Sequence, residues 1–225
     1  MSYILKQRTA IALLAIGSLG LSACASMSKK ERGAATGAAA GAAIGGVIGN
    51  QTGSTARGAI LGAIVGGAAG AVIGHQMDQQ AKEIDASVEG ATVERVGEGI
   101  QVTFASGLLF PHDSDVLQPA ARANLTELAN SLKKYPESQL LIVGHTDDTG
   151  SDSYNMALSQ RRSDAAAAFL QSQGIARSRI QTSGKGESEP VATNESDAGR
   201  QQNRRVEVAI YASEAYRQEI MRRNQ

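Results

Sequence analysis

The chain has 225 residues, 42% hydrophobic and 20% charged, with 22 Lys plus Arg balanced by 22 Asp plus Glu. That length accommodates a folded domain with a real core and something more, while zero net charge excludes nucleic-acid binding through bulk charge. Cys24 is the only cysteine, which excludes an intramolecular disulfide and multi-cysteine metal sites.

Residues 1–23 read as an export signal. Lys6 and Arg8 form a positive start, and residues 11–21 form an apolar run. The run is too short to span a bilayer, which needs about 20 apolar residues. Leu21-Ser22-Ala23-Cys24 follows, and this resembles a bacterial lipoprotein lipobox. The resemblance implies cleavage before Cys24 and lipidation of Cys24. Several acyl chains on one residue hold it stably in a leaflet. The mature chain would have 202 residues and a formal charge of −2. Ala25 stands where, by analogy, an Asp marks inner-membrane retention. The expected location is therefore the outer membrane, with lipid as one partner.

After a short tether, residues 24–32, comes a repeat. Thirteen of the 25 glycines lie between Gly33 and Gly74, where Arg57 is the only charged residue. Gly33, Gly37, Gly41, Gly45 and Gly49 recur every fourth residue. Gly58, Gly62, Gly66, Gly70 and Gly74 repeat the series 25 positions later. In water each such glycine costs a helix about 1 kcal/mol relative to Ala. In a membrane the same spacing opens a groove that lets backbones approach. The expectation for residues 33–75 is a helical hairpin with paired glycine faces, in or against a membrane, resembling the glycine zippers of bacterial envelope lipoproteins. A homo-oligomer through the zipper, up to a pore, and a flexible linker are the rival readings. Residues 76–91 read as a solvated helical connector.

From residue 92 the composition becomes globular. Residues 92–96 and 100–105 predict a hairpin around Gly97-Glu98-Gly99. Pro119 suits a first helical turn, and Leu117, Ala121, Leu125, Leu128 and Leu132 form one apolar stripe. A strand over 139–144, a helix over 153–173 capped by Gly174, and strands over 179–183 and 205–211 follow. Residues 213–225 form a charged tail, helical or disordered. Alternating strands and helices predict an α/β (α+β) sandwich.

Residues 144–152 close a strand and open a helix, a favoured place for ligands. On that helix Leu158, Ala165 and Phe169 are the expected buried stripe. Arg162 lies beside it and shares a face with Asn155, seven residues earlier. A buried guanidinium needs a partner, and Asp147 is the nearest candidate. Held apart in a cleft, the same two side chains could clasp a zwitterion, the carboxylate taking an ammonium and the guanidinium a carboxylate. His145 is expected to be structural. Arg161 is expected to be solvated, and Arg205 to be at the surface or in an ion pair. No P-loop, HExxH or nucleophile elbow is present, and neither a metal nor a cofactor is expected.

Gly144-His145-Thr146-Asp147, Gly150, Asn155, Leu158-Ser159 and Arg162 together resemble the signature of the OmpA-like domain. Phe110, Asp113-Ser114, Gly174-Ile175, Gly184-Lys185-Gly186-Glu187 with Pro190, and Asn203-Arg204-Arg205-Val206-Glu207 match as well. The resemblance covers residues 92–212. With lipobox and zipper, the chain resembles OmpA-family lipoproteins of the YiaD type. The resemblance implies a β-α-β-α-β-β fold and noncovalent, non-enzymatic binding of peptidoglycan through diaminopimelate. Carried over by residue, Asp147 receives the ammonium and Arg162 the carboxylate, and Thr146, Asn155, Arg204 and Asp113 line the pocket. Pro111-His112 departs from the family pattern at the rim. The expectation is an envelope tether, lipid-anchored at Cys24, with its C-terminal domain in the periplasm. Its rivals are a zipper-driven pore positioned by wall binding, and a cell-wall hydrolase with two positioned carboxylates.

Overall fold

Strand β5 (Arg205–Ala212) shows how alternation builds the sheet. Val206, Val208, Ile210 and Ala212 point to one face, and Arg205, Glu207, Ala209 and Tyr211 to the other. The first set joins the main apolar core; the second meets a smaller cluster on the back. The architecture comes from a computed structural model that describes residues 53–224. Cys24 with its lipobox and the first glycine arm, residues 33–49, lie outside the described residues.

Strands β1 (Ala91–Val96), β2 (Gly99–Ala105), β3 (Ser138–Gly144) and β4 (Ile180–Gly184) complete a sheet of order β1-β2-β5-β3-β4. All neighbours are antiparallel except β3 and β4. A parallel pair needs a crossover, and the helix between them supplies it. The α/β sandwich and the β-α-β-α-β-β order are present from β2 onward, with β1 added at the edge.

Seven helices surround the sheet among the described residues: α1 (Thr55–Leu61), α2 (Gly67–Ser87), α3 (Ser106–Leu109), α4 (Pro119–Lys134), α5 (Asp152–Ser172), α6 (Asp197–Asn203) and α7 (Glu214–Arg223). Pro119 opens α4, and the stripe from Leu117 to Leu132 is buried throughout. Ser151 caps α5 by accepting the Tyr154 N–H at 3.3 Å. The tail is helical: α7 buries Ile220, and the Tyr216 hydroxyl donates to Gln76 on α2 at 2.7 Å. The one-turn α3 and the short α6 carry too little periodicity to be read from sequence.

Two expectations fail in the N-terminal half. The second glycine arm is not one helix. It breaks between α1 and α2, where Gly66 and Gly67 take φ of 75° and 62°. Such angles suit glycine, and the Glu98 carboxylate holds the turn by accepting the N–H groups of Val65 and Gly66 at 2.8 and 2.7 Å. Here glycine serves to turn the chain. The connector is not solvated all round either. Ile73, Met77, Ala81, Ile84 and Val88 recur at helical spacing and enter the main core beside Phe104, Leu128 and Ile210. Among the described residues no helix is long and apolar enough to cross a membrane.

The back of the sheet is covered differently. Ala56 and Ile60 of α1 pack on Val143 and Ala209. Around them the contacts are polar. The Ser54 hydroxyl donates to Glu207 at 2.8 Å, the Thr55 N–H donates to Glu189 at 3.0 Å, and Arg57 donates to Gln101 at 2.9 Å. Gly97 and Gly99 lie under the arm, and a Cβ on either would collide with Ile64 or Ile60.

Candidate functional site

Glycines bring α5 down onto the ends of the parallel strands. Gly144 and Gly184 face each other in register. A Cβ at Gly144 would collide with the Ser159 carbonyl, and one at Gly184 would lie 2.5 Å from the Gln160 nitrogen. Ser163 fastens the helix further, donating to the Ser183 carbonyl at 3.1 Å. The buried face of α5 is therefore small and polar as well as apolar: Asn155, Leu158, Ser159, Arg162, Ser163, Ala166, Ala167 and Leu170. This corrects the expected stripe. Ala165 and Phe169 only flank the core, because backbone-to-backbone approach, rather than bulky side chains, sets the helix rotation.

Asp147 follows β3 and is 6% exposed. Its Oδ1 accepts the Thr149 N–H at 3.1 Å, and its Oδ2 is ion-paired with Arg204. Burial pushes the carboxyl up, but the Arg204 and Thr149 hydrogen bonds outweigh it and hold the group below its usual value. The Asn155 amide donates to the Asp147 carbonyl at 3.2 Å and to the Glu187 carboxylate at 2.7 Å. Thr146 is fixed through its backbone, its N–H donating to the Gly186 carbonyl at 2.9 Å; its buried hydroxyl makes no hydrogen bond.

Arg162 lies two helical turns beyond Asn155, about 10 Å along the axis. Helical side chains lean toward the N-terminus, so its guanidinium points back toward Asn155. Its Nε donates to the Ser114 carbonyl at 2.9 Å, and its guanidinium lies 5.4 Å from the centre of the Phe110 ring. Arg162 is 4% exposed and has no carboxylate of the described residues within 4.0 Å. Burial lowers its pKa, opposed by the charge of nearby Asp113. Asp113 has φ of 54°, rare outside glycine, and accepts a hydrogen bond from the Tyr154 hydroxyl. Pro111 and His112 are exposed beside it. Arg161 is exposed and pairs with Asp115 at 3.3 Å.

The structure thus joins Asp147, Asn155, Arg204 and the Thr146 backbone in one network. It places Arg162, on the inward face of α5, in a second group with Asp113 of the loop after α3, with no ion pair between Asp147 and Arg162. The sequence reading missed Glu187 and Tyr154. Glu187 stands inside a quoted motif and Tyr154 directly before the quoted Asn155, but only the fold shows Glu187 meeting Asn155.

Behind the site lies a buried polar group. His145 is 1% exposed, with Glu207 and Glu189 at 3.8 and 4.0 Å, and neither ring nitrogen makes a hydrogen bond. Burial lowers its pKa to about 2, aided by Arg205 and Lys185. Arg205 pairs with Glu207 at 2.7 Å and is itself buried, so that carboxylate is already compensated and His145 stays neutral.

A model of the OmpA family matches residues 109–204, and a model of the YMGG-like Gly-zipper matches residues 5–78. The probable lipoprotein YiaD of Escherichia coli (strain K12) is 40% identical over 121 residues, 54% of this chain and 55% of that protein. This chain therefore spans just over half the length of that relative. The peptidoglycan-associated lipoprotein of Brucella melitensis biotype 1 is 34% identical over 52% of this chain and 70% of its own length. Among solved structures, the cell wall anchor of the T6SS from Pseudomonas aeruginosa is 31% identical with a TM-score of 0.53, covering 61% of this chain and 97% of that one. With the signature residues at the end of β3 inside the matched residues 109–204, and a relative 34% identical covered over 70% of its length, the chain belongs to the OmpA family.

Proposed function

We propose that the protein is an outer-membrane lipoprotein that binds peptidoglycan noncovalently through diaminopimelate and so tethers the envelope to the wall. The observation that carries this reading is one buried anionic group at the end of β3 and one buried cationic group on the inward face of α5, not paired with each other. Asp147, steered by Asn155, stands at the strand end, and Arg162 reaches back toward it with no ion-pair partner among the described residues. Diaminopimelate carries an ammonium and a carboxylate on its free end. The ammonium goes to Asp147 and the carboxylate to the guanidinium fork of Arg162. Arg204, now on Asp147, is placed to share the ligand carboxylate. Asp113 and Tyr154 form the rim, and Thr146 holds the floor through its backbone. The names of the relatives support the same reading: one is a peptidoglycan-associated lipoprotein and one a cell wall anchor. Lipid at Cys24 makes the other end of the tether, and each attachment raises the effective concentration of the other. The domain would face the periplasm.

The second glycine arm supports the tether over the pore. Among the described residues it is broken and packed on the sheet, so a continuous membrane helix over residues 58–74 would require it to leave that surface.

The test is cosedimentation of the full chain in detergent with purified diaminopimelate-type peptidoglycan, beside Asp147→Ala and Arg162→Ala. Wild type is expected in the pellet and both variants in the supernatant. A wild type that stays in solution sinks the wall-binding reading. Variants that pellet fully would remove the zwitterion clasp alone.

A further inference from the structure

Charge accounting beside Asp147 leaves the Glu187 carboxylate without a cation among the described residues. Asp147 is ion-paired with Arg204. Lys185 reaches Glu189, at 3.9 Å. Glu187 lies between these pairs, half-buried, and no Lys, Arg or His of the described residues comes within 4.0 Å of it. Its Oε2 accepts from Asn155, and its Oε1 accepts no hydrogen bond from the described residues.

The loop that carries it is pinned just before it. The Lys185 N–H donates to the Gly144 carbonyl at 3.0 Å and the Gly186 N–H to the Ser159 hydroxyl at 2.9 Å. Gly186, with φ of 52°, presses the loop against Asn155 and Met156, where a Cβ would lie 3.0 Å from the Met156 nitrogen. One amide, that of Asn155, therefore holds the Asp147 backbone on one side and the Glu187 carboxylate on the other. Beside them the Thr146 hydroxyl is buried and has no hydrogen-bond partner.

We infer that Glu187 is a second receptor for the ligand ammonium, and the one that makes the site select a free amine. This rests on the wall-binding reading above and deepens it. While Arg204 stays on Asp147, that pair is neutral overall and draws an ammonium weakly. Glu187 supplies an uncompensated negative charge next to Asn155. A primary ammonium has three donors, enough to reach both carboxylates, and charge-assisted hydrogen bonds to a partly buried acceptor are the strong ones. The cation thus settles beside Asn155, and its carboxylate turns toward Arg162. Structural acids that merely position a neighbour lack this selectivity. Glu187→Gln keeps an oxygen for the Asn155 amide and removes only the charge.

The experiment titrates the full chain in detergent with two soluble probes: the tripeptide L-Ala-γ-D-Glu-meso-diaminopimelate, and the same peptide with its side-chain amine acetylated. Wild type is expected to prefer the free amine. Glu187→Gln should lose roughly tenfold in affinity for the amine peptide and match wild type on the acetylated one. Glu187→Asp, which keeps the charge, should retain the preference, and melting curves establish that each variant is folded. If Glu187→Gln weakens both peptides equally, Glu187 only positions Asn155, and the inference is overturned. Equal affinities of Glu187→Gln and wild type for the amine peptide overturn it as well, leaving the clasp of Asp147 and Arg162 standing. A wild type that binds neither peptide overturns the wall-binding reading, and this inference with it.

Discussion

The two faces of the sheet solve the same problem with opposite means. The front is closed by α2, α4 and α5 through interlocking aliphatic side chains and Phe104. The back is closed by one seven-residue helix, α1, seated on two apolar contacts and ringed by Glu94, Glu189, Glu207, Arg57 and Arg205. The front face stabilises by area removed from water. The back face depends on each buried charge having its partner. Burial alone therefore does not say how a surface responds to change; the chemistry of what is buried does.

Substitutions can sharpen or break that contrast. Phe104→Ala, in the front core, should cost about 3–5 kcal/mol in chemical denaturation, from lost transfer energy plus a cavity. Arg205→Ala, at the back, should cost about 3–5 kcal/mol by stranding Glu207. An Arg205→Met, Glu207→Leu double variant should recover most of that loss; if it does not, the back face is held by packing after all. Ile60→Ala should cost about 2–3 kcal/mol, and a cost near zero would mean that α1 contributes nothing to closing the back.

Acid should act through His145. Its pKa of about 2 in the fold lies below the unfolded value of 6.5. The unfolded chain then binds the extra proton, so stability is full above pH 6.5 and falls as pH drops toward 2. Asp147, depressed in the fold, adds a loss only at pH below the ordinary carboxylate range. His145→Leu is expected to flatten the slope between pH 6.5 and 4 in a melting series. The smallest effect belongs to Arg57→Ala: its pair with Glu94 is about half exposed on both sides, so under 1 kcal/mol is expected.

The sequence carried the front face well because period-2 and period-3.6 patterns of Val, Ile and Leu follow from the geometry of strands and helices. The α4 stripe and all five strands fall where those patterns place them. Helix α5 shows the limit. Its inward face includes Asn155, Ser159, Arg162 and Ser163, which no hydrophobicity pattern singles out. Gly144 and Gly184 explain it, but only once they stand side by side. The connector erred the other way, since Ile73, Met77, Ile84 and Val88 do recur at helical spacing and were masked by charged neighbours. At the site, Asp147, Asn155, Arg162 and Arg204 were legible through their spacing and the resemblance it carried. Glu187 was not, because its meaning lies in a contact across 32 residues.

The seating of α1 has a mechanical side. On the tether reading, tension from the lipid anchor passes down the chain and, among the described residues, meets the arm first, at Ser54. The arm is held by a few apolar side chains and separate polar ties, whereas the sheet beneath is hydrogen-bonded across five strands. Under load the arm gives way first. Peeling residues 54–66 would release roughly 45 Å of extended chain while β3, β5 and α5 stay assembled around Asp147 and Arg162. The glycine arm then works as a fuse with slack in it, lengthening the link before the grip on the wall is put at risk.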